Sequence, residues 1–136
     1  MLYDGLCGVC NRMVRFVMRR DRRDRIRFAP QQSALAEAAL ARHGVDRAAM
    51  IADNSVYLLL DFGFPQERLL RRSDVPANLL MLVGGVWGVL GRVLRAMPRF
   101  VRDGAYTLFA RNRFRFSERY ESCPLPSAAE RAKFLA

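Results

Sequence analysis

Near its start the chain changes period once, and two cysteines fall at the change. Leu2–Asp4 reads as the end of a short β-strand, and Gly5 opens a turn. From Cys10 onward the apolar residues Met13, Val14, Val17 and Met18 recur at helical spacing, while Arg12, Arg15, Arg19 and Arg20 hold much of the other face. The stretch "MLYDGLCGVCNR" therefore predicts strand, tight turn and helix, with Cys7 and Cys10 at the helix entrance. In a parallel βαβ unit that entrance lies at the carboxyl end of the first strand, where α/β proteins tend to bind and react.

The rest of the chain extends this start. Ile26–Pro30 alternates apolar and polar residues and stops at a proline, as a second strand would. Ser33 can cap a following helix that carries Glu37 early and closes at His43-Gly44. Ser55–Gly63 and Glu67–Arg72 read as a β-hairpin joined through a Gly-Phe-Pro turn. Ser73 or Asp74 caps a helix to about Val83, and Gly84-Gly85 breaks it from a second buried helix. That helix spans Trp87–Met97, with Trp87, Leu90, Val93 and Leu94 on one face, and a further helix covers Phe100–Arg111. The order is that of an α/β, thioredoxin-like βαβ-α-ββα core with additional C-terminal helices. We expect one domain over 1–136, its core at about 1–84 and its helical extension at about 85–136.

Composition narrows the setting. A chain of 136 residues can bury a core without staples, and three cysteines are too few for a secreted disulfide scaffold. The net charge of +10 favours anionic partners, but the arginines are spread from Arg12 to Arg131 rather than clustered. No secretory signal follows Met1. The apolar run Leu79–Gly91 falls short of the about 18–20 residues that span a bilayer. A cytoplasmic protein without a transmembrane segment is expected.

The cysteine spacing bears the chemistry. A helix N-terminus offers unpaired N–H groups and partial positive charge, and both favour a thiolate. Cys7 is placed to be the nucleophile, and Cys10, one turn deeper on the apolar side, to be the less exposed, resolving thiol. Asp4 either accepts a proton from Cys10 or caps the turn through backbone N–H groups. Metal binding is the alternative: Cys7, Cys10, Cys123 and His43 would make a tetrahedral zinc set. Haem attachment is excluded because Asn11, not His, follows Cys10. No cofactor is needed beyond a Cys7–Cys10 disulfide. Cys123 reads as a packed or surface cysteine, or as a third redox thiol if the tail folds back. "ARNRFRF" could stack on single-stranded nucleic acid, but an extended segment with one packed aromatic face gives the same alternation, and no RNA-binding motif accompanies it. Trp87 and its apolar neighbours read as core. Arg92, Arg95, Arg99 and Arg102 beside them would suit peripheral contact with anionic lipid.

"YDGLCGVC" resembles the signature of the DCC-type thiol-disulfide oxidoreductases, an Asp-x-x-Cys-x-x-Cys pattern matched by Asp4, Cys7 and Cys10. The resemblance continues through "RFAPQQS", Ser73-Asp74, "GGVWGVLGRVLRAMPRFVRDGAYTLFARNRFRF" and "CPLPS". It implies a thioredoxin-like fold and exchange of the Cys7–Cys10 pair with protein or small-molecule thiols, with the electron donor unspecified. One departure stands out. Thioredoxin proper sets a cis-proline just before its hairpin, facing the cysteines, and no proline lies between Pro30 and Pro65 here.

Overall fold

The computed structural model describes residues 1–116 and 118–135. In chain order they form β1 (Leu2–Tyr3), α1 (Gly8–Arg20), β2 (Ala29–Pro30), α2 (Ala34–Ala41), α3 (Arg47–Asp53), β3 (Tyr57–Leu60), β4 (Arg68–Arg71), α4 (Asp74–Val83), α5 (Gly85–Ala96) and α6 (Arg99–Phe116). A short 3-10 turn, Arg131–Lys133, follows. The sheet order is β2-β1-β3-β4, with β1 and β2 parallel and the other pairings antiparallel. This mixed sheet with its βαβ start and closing hairpin and helix is the thioredoxin-like arrangement that the element order predicts.

Side-chain alternation sorts the core. Leu2 and Tyr57 point to one face with Ala36 and Leu40 of α2, whereas Tyr3 and Leu58 point to the other with Val14 of α1 and Leu79 of α4. Cys7 and Cys10 belong to this second cluster, beside Phe28 and Val56. Phe28 is fully buried, worth about 1.5–3 kcal/mol, and a parallel bridge to Phe134 ties the tail alongside the chain just before β2.

Local signals place several ends. Ser33 Oγ accepts from Ala36 N at 3.3 Å and caps α2. Ser73 precedes α4 but makes no cap bond, because its hydroxyl donates to Asp103 on α6 instead. The positive φ values of Gly84 and Gly85 turn the chain sharply between α4 and α5.

Four expectations need correction. The second strand shrinks from Ile26–Pro30 to Ala29–Pro30, and α3 has no counterpart in the sequence reading. The helix after the double glycine is not buried: Val86 is 83% exposed, Leu90 and Val93 also face outward, and Trp87 only edges onto the Phe16 ring of α1. Its contact with α4 runs instead through Gly88 and Gly91, whose missing side chains let the helices approach closely. Finally, "ARNRFRF" is not extended: α6 continues to Phe116 and carries Arg113 inward.

Candidate active site

Cys7 is the N-cap of α1. Its extended backbone (φ −93°, ψ 118°) leads into the helix, and its sulfur accepts from Cys10 N at 3.4 Å. A thiol thus stands where Ser or Asp usually caps a helix. The preceding turn is held by Asp4 Oδ1, which accepts from Leu6 N at 3.0 Å and from Gln32 Nε2 at 2.9 Å. Asn11 fixes it from the helix side, its Nδ2 donating to Gly5 O and Cys7 O at 2.9 Å each.

Arg113 reaches this turn from α6. Its Nη1 lies 3.6 Å from Cys10 Sγ and its Nη2 lies 3.1 Å from Asp4 Oδ2, while Asn54 Oδ1 also accepts from Nη2. Arg113 is 7% exposed, so its charge acts in a site with little solvent screening. Asp4 therefore faces the guanidinium and the turn, and Arg113 stands between it and the cysteines.

Three influences push the Cys7 thiol down to about 6, against the opposing cost of burial and the Asp4 charge. These are, in order, the hydrogen bond from the Cys10 thiol, the Cys10 backbone N–H and the Arg113 charge. Cys10 moves upward, because it donates its proton to Cys7 and is itself buried. The two opposite shifts make Cys7 the more readily ionised sulfur of the pair and Cys10 the one that keeps its proton longer. All three cysteines are free.

The expected difference in exposure is absent. Cys7 is 0% exposed and Cys10 is 3% exposed. Residues 118–120 lie across the turn: Gly8 N donates to Glu118 O at 3.2 Å, Tyr120 N donates to Leu6 O at 2.7 Å, and Cys7 bridges Arg119. The tail does fold back, but it sets Cys123 against Tyr3 and Gly5. The Tyr3 hydroxyl is 3.9 Å from Cys123 Sγ, and a Cβ on Gly5 would come within 2.6 Å of that sulfur.

The four-ligand zinc arrangement is not assembled. His43 Nε2 lies 2.7 Å from Glu67 Oε1 by the hairpin, and no group of three or more Cys, His, Asp or Glu suited to a metal occurs among the described residues. No cis peptide bond occurs among them either. The segment before β3 is instead held by α6: the Tyr106 hydroxyl accepts from Val56 N at 3.3 Å, and Arg113 binds Asn54.

Sequence reasoning missed Arg113, Asn11 and Gln32. Asn11 carried a usable signal, since a short amide inside a helix competes for backbone groups and needs a local reason to be there. Arg113 carried none, being one of many arginines.

A sequence profile of the DCC1-like thiol-disulfide oxidoreductase family matches residues 1–119. An uncharacterised Bacillus subtilis protein, YuxK, is 28% identical over 140 aligned positions, covering 99% of this chain and 92% of YuxK. A DCC family protein of Arabidopsis thaliana, described as chloroplastic, is 34% identical over 125 positions, covering 92% of this chain and 68% of that protein. No solved structure matches. Among the described residues no helix is long and apolar enough to cross a membrane.

Proposed function

The chain belongs to the DCC1-like thiol-disulfide oxidoreductase family, and we propose that Cys7 and Cys10 are the pair through which it exchanges electrons with thiols and disulfides. Cys7, as thiolate, attacks one sulfur of a substrate disulfide, and the other substrate sulfur leaves as a thiolate. Cys10 passes its proton to the departed substrate thiolate and then attacks the Cys7 sulfur of the mixed disulfide. The Cys7–Cys10 disulfide forms, the second substrate thiolate departs, and two electrons have passed to the substrate.

The observation that carries this reading is Cys10 N 3.4 Å from Cys7 Sγ at a helix start, with Arg113 3.6 Å from Cys10 Sγ. It supports an order of events. While Cys7 is a thiolate it holds the proton of Cys10 in a shared hydrogen bond. Once Cys7 is bonded to substrate that negative charge is gone, and Arg113 favours the Cys10 thiolate needed for the second attack. Asp4 shapes the turn and orients Arg113 through the 3.1 Å ion pair.

The test equilibrates the protein in a series of glutathione buffers, traps free thiols by alkylation and reads each cysteine by mass spectrometry. Cys7 and Cys10 should convert together and reversibly between dithiol and disulfide, with Cys123 unchanged. Independent conversion of the two, or none at any buffer ratio, would remove the pair from this role.

A further inference from the structure

An apolar cleft of about 400 Å³ is lined in part by Cys10 and not by Asp4. Met13 of α1, Val75 of α4, Leu94 of α5 and Ala105 and Phe109 of α6 contribute to its walls, and so do Cys10 and Arg113, whose Sγ and Nη1 are 3.6 Å apart. Its size falls within the usual range for small-molecule sites. Met97 and Phe109 also line it and are partly exposed, so the cleft opens to solvent beside apolar side chains.

The cleft also holds the protein's unanswered donors. Among the described residues, the buried side-chain nitrogens and oxygens without a partner are Nε of Arg102 and Nε of Arg113, and both residues line it. Their side chains are 10% and 8% exposed. Each guanidinium already faces a carboxylate, Asp74 at 3.2 Å and Asp4 at 3.1 Å, so what is missing is a hydrogen-bond acceptor rather than a negative charge. A peptide would bring N–H donors as well as acceptors, and these would need partners in an apolar cleft. A fatty acid would bring a charge that the two aspartates have already answered. A neutral apolar ring bearing carbonyl oxygens brings acceptors alone.

We propose that this cleft binds a quinone, which takes two electrons from the reduced Cys7–Cys10 pair; the inference rests on the thiol-disulfide reading above. Arg113, beside Cys10, donates Nε–H to one ring carbonyl. Cys10 Sγ adds to that carbonyl carbon, and the thiol proton passes to the carbonyl oxygen. The Cys7 thiolate then attacks Cys10 Sγ. The sulfur–carbon bond breaks, its electron pair enters the ring, and the opposite oxygen takes a proton from water. One quinone and one dithiol become one hydroquinone and one disulfide. An ester or simple ketone would satisfy the same donors, but Cys10 in the wall singles out an acceptor of electrons. Run in reverse, the exchange at Cys7 lets substrate thiols reduce the Cys7–Cys10 disulfide and become a disulfide themselves, and the quinone then takes those two electrons at Cys10.

The experiment mixes reduced protein anaerobically with decylubiquinone, following loss of quinone absorbance and formation of the disulfide. One hydroquinone per disulfide is expected, at a rate that saturates with quinone. Ala105→Trp and Leu94→Trp, which fill the cleft from different helices, should each slow the reaction at least tenfold. Their circular dichroism and glutathione equilibria show whether fold and pair are intact. A rate that rises linearly with quinone and is equal in both variants would mean reaction outside the cleft, overturning the proposal. No quinone reduction by protein that glutathione buffers do interconvert would also overturn it and leave the oxidoreductase reading standing. Inertness toward both would overturn the two together.

Discussion

Reducing the Cys7–Cys10 pair should make the folding stability depend on pH in a way the disulfide form does not share. Cys7 ionises at about 6 in the fold against an ordinary value of 9.0. A group whose folded pKa is depressed stabilises fully above its unfolded pKa and loses that contribution as pH falls through the folded one. Three units at about 1.36 kcal/mol each give up to about 4 kcal/mol, gained between pH 6 and 9. Cys10 has the opposite sign: its raised pKa contributes below about 9 and fades as pH rises further, when the unfolded thiol ionises and the folded one does not. The reduced protein should therefore be most stable relative to the oxidised one near pH 9. The assay is urea unfolding of both redox states across this window, taking the difference so that titrations common to both cancel. The same energy favours the dithiol, and about 1.4 kcal/mol corresponds to about 30 mV of oxidising power. A difference that stays flat from pH 6 to 9 would refute the assignment of Cys7 as a stabilised thiolate.

Two substitutions extend the argument. Arg113→Gln leaves Asp4 and the cysteines without their buried cation; it should cost about 3 kcal/mol and move the Cys7 midpoint upward from about 6. Unfolding and the ultraviolet absorbance of the thiolate read these separately, and an unmoved midpoint would reduce Arg113 to a structural strut. Gly91→Ala places a Cβ 2.7 Å from the Ala77 carbonyl oxygen and 2.9 Å from Met81 N, so α4 and α5 must part. Thermal unfolding should show a loss of about 1–3 kcal/mol.

What could be read from the sequence was local. The helix entrance at Cys7, the Ser33 cap, the hairpin and the double-glycine break each depend on a few neighbouring residues whose chemistry has few outcomes. What stayed hidden depends on distant pairing. β2 reads longer in sequence than it is because Ile26 and Phe28 alternate as buried core residues, while only Ala29 and Pro30 pair with β1. The apolar positions of α5 read as core because periodicity records amphipathicity and not what covers the apolar face; here Gly88 and Gly91 face α4 and the valines face outward. The bond from Leu6 N to Asp4 matches one of the two roles the sequence left open for that carboxylate. Its guanidinium partner was not visible in sequence, since Asp4 and Arg113 are 109 positions apart and only the packing of α6 on α1 unites them.

The short segment laid over Cys7 changes what a rate measured on this protein would mean. Two backbone hydrogen bonds, Gly8 to Glu118 and Tyr120 to Leu6, fasten it, each worth about 1 kcal/mol, and the Arg119 guanidinium lies over the Phe114 ring, so the lifted form is a minority population. A reagent meets the sulfur only in that minority population, so its observed rate is its rate on a bare thiolate multiplied by the lifted fraction. The factor is common to every reagent that waits for the segment to lift. A substrate escapes it only by binding the lifted form, trading its own contacts for the Gly8 and Leu6 backbone groups that residues 118 and 120 give up. Discrimination among disulfides would then be decided at that backbone edge before any sulfur is touched.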